Sequence, residues 1–362
     1  MSRAVLHIIL GSFICTTGWM AGPTILVTGG AGYIGSHTCK ALHSAGFAPV
    51  VFDNLETGRA DRVLWGSLIE GDLNQYEEIA SAIRQTQPVA IIHFAASIQV
   101  GESVQNPGKY YRNNTVATLN LLEAMHSAGY VCPLIFSSTG AVYGTPKEVP
   151  ISEESLLHPE SPYGASKAMS ERMICDYYHA YHQPYCILRY FNACGADPEG
   201  ELGADPSLES RLVAVAVKAG VQGTPLSLFG VDWPTPDGTA IRDYIHVSDL
   251  AEAHVCALKA LLDGKEDSLT CNLGVGRGIS VLEVIRGVEE VLKKALDVRL
   301  CVRRPGDVPI SIADVQRMCL RLGFTPQHSS LEEMIRTSYQ WQLRWNREVV
   351  VQADVVATGQ SS

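Results

Sequence analysis

A chain of 362 residues that is 46% hydrophobic and 18% charged is long enough to bury a large core and too apolar to stay disordered. Its formal net charge of -10 argues against a nucleic-acid surface, although a helix N-terminus and a few arginines can still bind a small anion locally. Ten cysteines without a C-x-x-C pair are expected as buried reduced thiols, and no disulfide frame, zinc site or other metal site is expected.

Residues 1–23 carry Arg3 and then the apolar run "AVLHIILGSFICTTGWMAG". The stretch reads either as a secretory signal or as an extension from a start assigned upstream of Met20. The second reading is preferred, because the first predicted strand begins at once, with Met20 four residues before Thr24. No later apolar run is long enough to span a membrane.

Short apolar runs then alternate with helix-like stretches. Strands are predicted at 25–28, 49–53, 68–71, 90–95, 134–138 and 186–190, and helices near 35–45, 76–85, 107–127 and 162–182. The alternation predicts an α/β fold, with a Rossmann-type doubly wound parallel sheet over residues 24–192. Beyond Asn192, "GADPEGELGADP" and "VDWPTPDGT" are loop-like, and helices are predicted near 211–220, 247–262 and 281–295. Residues 193–345 read as a smaller C-terminal α/β substrate lobe with segments returning to the first domain, and 346–362 as a tail without a motif.

"VTGGAGYIGSH" at 27–37 sets Gly29, Gly32 and Gly35 in a G-x-x-G-x-x-G spacing between a strand and a helix. Gly30, Gly32 and Gly35 also satisfy G-x-G-x-x-G. Such a turn lets the backbone approach a diphosphate and offers it the free N–H groups of the helix N-terminus. The spacing alone is a weak signal. Asp53 strengthens it, since it ends the second predicted strand 21 residues after Gly32. A carboxylate there takes ribose hydroxyls and repels a 2′-phosphate, so NAD is preferred over NADP. Asp72, in "EGDL" at the end of the third predicted strand, either holds the adenine edge or serves as a helix cap or turn residue.

"SPYGASK" places Tyr163 and Lys167 four residues apart, on one face of a helix. A free phenol titrates near about 10, and an adjacent ammonium and a positive nicotinamide ring both favour phenolate. The same spacing also occurs in ordinary exposed helix pairs. Here it follows the dinucleotide fingerprint and a strand ending in "FSSTGAVYG". The hydroxyls of Ser138 and Thr139 then stand at the carboxyl edge of that strand, either as ligand groups or as strand-end caps.

With these residues, the motifs "HFAA", "VGESVQNP", "YYRNN", "LRYFNACGADPEGELG", "DGTAIRDYIHVSDL" and "RRPGD" carry a resemblance. From about Thr24 to Trp341 the chain resembles the extended short-chain dehydrogenase/reductases and, more narrowly, the UDP-glucose 4-epimerase family. The resemblance implies Tyr163 as acid/base, Lys167 as its partner and Thr139 as the hydroxyl residue at the sugar 4-oxygen. It implies an NAD site lined by Gly29, Gly32, Tyr33, Ile34, Gly35, Asp53, Asn54, Asp72, Leu73, Phe94, Ala95, Asn113, Ser137, Tyr163, Lys167 and Tyr190. Asn192, Arg242, Arg304 and Asp307 would hold the UDP moiety, with Thr139, Tyr163 and Ser311 bordering the sugar. The implied reaction inverts the 4-hydroxyl of a UDP-sugar through a 4-keto intermediate that turns over and is re-reduced. A cytoplasmic homodimer is expected.

The sequence departs from that family's pattern at four places. Thr139 stands in place of a serine found in many members, and Ile98 where some carry a lysine. Arg211 and Ala214 stand where a polar Asn or His and a proline are expected. Arg211 reads as a substitute phosphate ligand or, preferably, as a solvated helix residue. Ser311 replaces a bulky tyrosine found in some members, so UDP-N-acetylhexosamines or UDP-pentoses are alternative substrates. A 4,6-dehydratase would need an Asp-Glu pair where Gly140 and Ala141 stand. A non-catalytic NAD-binding regulator, the rival of another class, has no use for the Tyr163–Lys167 pair.

Overall fold

Strands too apolar to face water on either side build the centre of the molecule. The structure, a computed structural model, describes residues 22–129, 131–304 and 306–358, with 348–358 described through their backbone. The predicted N-terminal extension lies outside the described residues except for Gly22 and Pro23.

In chain order the strands are β1 (Thr24–Thr28), β2 (Ala48–Asp53), β3 (Ser67–Glu70), β4 (Ala90–His93), β5 (Leu134–Thr139), β6 (Tyr185–Tyr190), β7 (Asn192–Cys194), β8 (Leu226–Phe229), β9 (Ile241–His246), β10 (Ser268–Leu273), β11 (Gly278–Ser280), β12 (Val298–Cys301) and β13 (Ile310–Ser311). The helices are α1 (Tyr33–Ser44), α2 (Tyr76–Thr86), α3 (Val100–Gln105), α4 (Pro107–Tyr110), α5 (Ala117–Ser127), α6 (Pro162–Tyr181), α7 (Leu212–Gln222), α8 (Val247–Leu262), α9 (Val281–Leu292) and α10 (Leu331–Thr358).

Seven parallel strands form the large sheet in the order β10-β6-β5-β4-β1-β2-β3. The order reverses between β1 and β4, and the crevice outside their carboxyl ends is where open α/β sheets bind ligands. Both faces are covered. Val27, Ile92 and Leu188 belong to a core shared with Leu42 of α1 and Leu250 and Leu258 of α8. Leu26, Ile91 and Phe136 belong to another, with Ile79 of α2, Leu121 of α5 and Ile174 of α6. This double burial explains why β4 and β5 are closed to solvent along their whole length.

Two elements from the second half complete this first layer. β10 extends the sheet beside β6, and α8 packs on α1. A smaller assembly stands at the carboxyl edge. β9 lies between antiparallel β11 and parallel β13, with β7 also pairing to β9, while β8 and β12 form a separate parallel pair. Val213 of α7, Val284 of α9 and Ile335 of α10 pack together beneath them.

The predicted elements hold to within a few residues. The helix expected over 107–127 widens into a π-type turn at Tyr111–Val116. β3 ends at Glu70, so Asp72 lies in the turn beyond it. The strands β7 to β13 and the helices α3 and α10 were not predicted, and α10 carries the expected tail on to Thr358. Among the described residues all nine cysteines are free, and no helix is long and apolar enough to cross a membrane.

Candidate active site

The glycine turn joins β1 to α1 at the point where the strand order reverses. Gly29 has φ +72°, a left-handed conformation, and a Cβ on it would collide with the backbone of Ala95. A Cβ on Gly35 would collide with the carbonyl oxygen of Gly29. Gly32 differs, since its Cβ would meet only Gly29 O, at 3.2 Å. Gly29 and Gly35 therefore serve the turn itself, whereas Gly32 keeps its outer side bare. No side chain caps the start of α1, at Tyr33 and Ile34, so its N-terminal dipole is left for an anion.

Asp53 is buried at the end of β2, beside this turn. Its Oδ2 accepts from Ala31 N–H at 3.0 Å and its Oδ1 from Leu55 N–H at 2.9 Å. Burial raises its pKa and the two backbone donors oppose the rise. Asn54 is exposed next to it. Asp72 Oδ1 accepts from both nitrogens of Asn74, at 2.9 and 3.0 Å, and Asn74 Nδ2 donates to Asn113 Oδ1 at 3.1 Å. Asp72 is thus a turn-making residue linked to Asn113 through Asn74, while Leu73 is buried in the core behind. After β4, the N–H groups of Phe94 and Ala95 both donate to Thr28 O, at 2.9 and 3.1 Å, which pins the chain against the glycine turn.

The second constellation rests on α6. Ser161 caps this helix, accepting from Gly164 N–H at 3.2 Å, and Pro162 opens it. Its spacing turns Tyr163, Lys167 and Glu171 toward β5. Lys167 is 3% exposed and donates to the carbonyl of Ser137 at 2.8 Å. Burial pulls its pKa down to about 7, partly offset by the charge of Glu171. The Tyr163 phenol neighbours Thr139 at the end of β5, whose hydroxyl favours the ionised phenol. Thr139 Oγ1 also accepts from Ala141 N–H at 3.2 Å, so it is both a cap and a neighbour of the phenol. Ser137 Oγ is bonded to the hydroxyl of Tyr190.

Burial raises the Tyr163 pKa, and the Thr139 hydroxyl and the charge of Arg211 oppose the rise. Lys167 directs its ammonium to Ser137 O. Arg211 is not a solvated helix residue, because it is half-buried, with its guanidinium 4.2 Å over the Tyr33 ring.

The residues expected to hold UDP gather on the smaller assembly. Arg242 of β9 ion-pairs with Asp307 and stands opposite Ser311 of β13 in register. Asn192 of β7 also pairs to β9, opposite Tyr244 in register. The carbonyl of Arg304 accepts from Asp307 N–H at 3.2 Å, and its guanidinium lies 4.0 Å over the ring of Phe229 at the end of β8.

A dinucleotide turn, a carboxylate at the second strand and a Tyr-x-x-x-Lys helix at one sheet edge agree with the comparisons. Residues 25–274 match the model of the NAD dependent epimerase/dehydratase family. The chain belongs to that family. This epimerase-family chain is 47% identical over 324 residues to a UDP-glucose 4-epimerase of Azospirillum brasilense, covering 89% of this chain and 92% of that relative. Its structure is similar to that of a UDP-glucose 4-epimerase from Brucella ovis in complex with NAD, with a TM-score of 0.85 at 44% identity over 88% of this chain and 98% of that one. It is also similar to a UDP-glucose 4-epimerase from Bifidobacterium longum in complex with NAD+ and UDP, with a TM-score of 0.83 at 36% identity over 89% and 98%.

Three positioning residues of this epimerase-family site escaped the sequence reading. Glu171 accepts from Ser138 Oγ and from the Arg189 guanidinium, at 2.7 Å, which ties α6 to β5 and β6. Its place one turn after Lys167 was the available signal. Asn114, beside Asn113 in the π-type turn, bonds Ser97 N–H at 2.8 Å and Ser166 Oγ at 2.9 Å. Asp243, next to Arg242, accepts from the N–H groups of Val275, Gly276 and Ala313, at 2.8, 3.0 and 3.1 Å. It locks the strand that carries Arg242 to the segment that carries Ser311.

Proposed function

We propose that this chain inverts the 4-hydroxyl of a UDP-sugar, interconverting UDP-glucose and UDP-galactose, with NAD as its cofactor. The observation that carries the reading is Tyr163 at the start of α6, one turn before a buried Lys167 that is held to Ser137 O of β5, at the same sheet that carries the bare glycine turn after β1. The identity to relatives named UDP-glucose 4-epimerase supports the choice of substrate.

Residues 24–192 would hold the cofactor and 193–345 the UDP-sugar. Gly32 and the start of α1 would take the cofactor diphosphate, Asp53 a ribose, and Asp72, Phe94, Asn113 and Tyr190 its flanks. When bound, NAD supplies a reversible hydride acceptor for the sugar C4. Tyr163 as phenolate takes the proton of the 4-hydroxyl, while Thr139 donates a hydrogen bond to the same oxygen. Lys167, with a pKa near neutrality, supplies a charge that answers to its surroundings. Arg242, Asn192, Arg304 and Asp307 grip the UDP moiety, the arginines through two-pronged bonds to phosphate oxygens. A firmly held UDP and a loosely held sugar let the 4-keto group turn its other face. Tyr163 then returns the proton, and no net oxidation results. Gly140 and Ala141 offer no acid or base for eliminating water, which argues against a dehydratase. A homodimer in the cytoplasm is part of the same reading.

The test is to incubate the purified protein with UDP-glucose and follow UDP-galactose, and then to run the reverse reaction. Conversion in both directions is expected, and Tyr163→Phe should keep its NAD and lose roughly 10^2–10^4-fold in turnover. No conversion by the unaltered protein, or near-normal conversion by the variant, rejects the reading.

A further inference from the structure

The strand order β4-β1-β2 makes the chain leaving β4 and the chain leaving β2 the two flanks of the glycine turn that leaves β1. The three strands are parallel, so both flanks stand at the same edge. On the β2 flank, residues 54–59 double back toward that turn. Leu55 has φ +58°, a left-handed conformation rare for a leucine, and reverses the chain soon after Asp53. Arg59 N–H then donates to Ala31 O at 3.1 Å, and a Cβ on Gly58 would meet Asp53 Oδ1 at 2.8 Å and Ala31 Cβ at 2.9 Å. Glu56 sits in the middle of this loop, with its N–H donating to Asn54 Oδ1 at 3.1 Å and its side chain half exposed.

The β4 flank is a wall made by α3 and α4. Glu102 of α3 binds the last two residues of α4. Its Oε1 accepts from Lys109 Nζ at 3.1 Å and its Oε2 from the Tyr110 hydroxyl at 2.8 Å. Tyr110 is closed to solvent and meets Tyr163 edge to face, with ring centroids 6.4 Å apart, so the wall reaches the proposed acid/base. The stretch 94–113 that includes this wall carries Phe94, Ala95 and Asn113, whereas the β2 flank carries Asp53 and Asn54. From the wall the Lys109 ammonium reaches Glu56 Oε1, at 3.3 Å. One ammonium therefore ties together the two flanks between which the cofactor diphosphate would lie.

We propose that Lys109 is a positioning residue for the cofactor: held by Glu102 of the wall and paired with Glu56 of the loop, it latches the two flanks together and slows the departure of NAD. The proposal rests on the reading that places NAD against the glycine turn. A bound dinucleotide leaves only when the loop moves aside, and the Glu56–Lys109 pair opposes that movement. Lys109 and both its partners are in reach of solvent, so each pair contributes little and weakens as salt is added. A latch of this strength delays exchange of the cofactor without preventing it.

The test times the release of NAD from the NAD-containing protein, trapping each molecule set free as NADH with added alcohol dehydrogenase and ethanol. Lys109→Gln and Glu56→Gln should each release NAD about two- to fivefold faster than the parent at about 0.1 M salt, the range of one or two exposed ion pairs. The double variant should be no faster than Lys109→Gln, because both substitutions break the same pair between the flanks. At about 1 M salt the parent should approach the variants. Stripped of NAD, all four proteins should melt within about 2 °C of one another, since the pairs are exposed. Release at the parent's rate by both single variants overturns the proposal. So do effects that multiply in the double variant, which mark two independent contacts. Faster release matched by a fall of more than about 5 °C in the stripped protein marks general loosening and overturns it too. A parent that neither carries nor takes up NAD rejects the cofactor reading and the latch with it, whereas a parent that holds NAD beside variants that release it no faster rejects the latch alone.

Discussion

Arg242 and Asp307 hold each other across the rim of the smaller sheet, one from β9 and the other from the loop before β13. Arg242 Nη1 also donates to Ile241 O at 2.8 Å. The guanidinium is therefore aimed before any substrate arrives, which reduces the ordering a diphosphate must impose. Arg242→Leu is expected to raise KM for UDP-glucose about 10–100-fold, the loss of a charge-assisted contact, with a smaller effect on kcat. Asp307→Asn should show the same signature at lower amplitude. Steady-state kinetics and direct UDP binding check both, and an Arg242→Leu protein that binds UDP normally would move the diphosphate elsewhere.

Lys167 costs the fold what the site needs. Its folded pKa of about 7 lies below the ordinary lysine value of 10.5, a difference of roughly 5 kcal/mol against the charged form. Between those pH values the unfolded chain binds more protons than the native one, so native stability rises as pH increases through this window. Below it the penalty is present in full. Lys167→Met is expected to lose at least about 10^2-fold in turnover yet to melt about 2–4 °C higher at neutral pH, with the gain shrinking toward pH 10. Thermal melts at several pH values decide this. A variant that melts lower at pH 7 would mean that the bond to Ser137 outweighs burial of the charge.

Gly32 and Gly35 separate ligand from fold. At Gly35 an added methyl meets backbone on two sides, Gly29 O and Gly30 Cα. Gly35→Ala should lower the melting temperature and lose NAD together. At Gly32 the backbone, φ −82° and ψ 176°, suits any residue, and the methyl meets one atom. Gly32→Ala should melt within about 2 °C of the parent after NAD is stripped, yet retain little NAD on purification, because the methyl occupies the side a diphosphate must approach. Equal NAD retention by Gly32→Ala and the parent would show that the turn faces the cofactor differently.

Much of the first layer was legible because its signals are local. Buried parallel strands announce themselves as unbroken apolar runs, and Gly29, Gly32, Asp53, Tyr163 and Lys167 sit at spacings that only a few backbone geometries reconcile. What stayed hidden depends on partners far along the chain. Arg211 looked solvated because nothing near it in sequence announces Tyr33, 178 positions earlier. Asp243 stands where no element was predicted, and its part shows only through its three backbone donors. The π-type turn at Tyr111–Val116 breaks the helical period, which blurred the difference between Asn113, facing Asn74, and buried Asn114. β10 is a short strand whose burial comes from β6 and α8 rather than from its own pattern.

Ser311 sets the last expectation, which concerns the breadth of the sugar pocket. It is half-buried on β13, directly opposite Arg242, so any side chain there borders whatever the arginine holds. A hydroxymethyl group leaves space beside the sugar that a phenol would fill. Ser311→Tyr is therefore expected to cut kcat/KM for UDP-N-acetylglucosamine at least about tenfold and that for UDP-glucose less than about threefold, since only the former carries a bulky 2-substituent. Competition assays with both nucleotide sugars in one vessel measure the ratio directly. An equal loss on both would place position 311 against the shared UDP moiety, and the size of the residue there would then say nothing about which sugars enter.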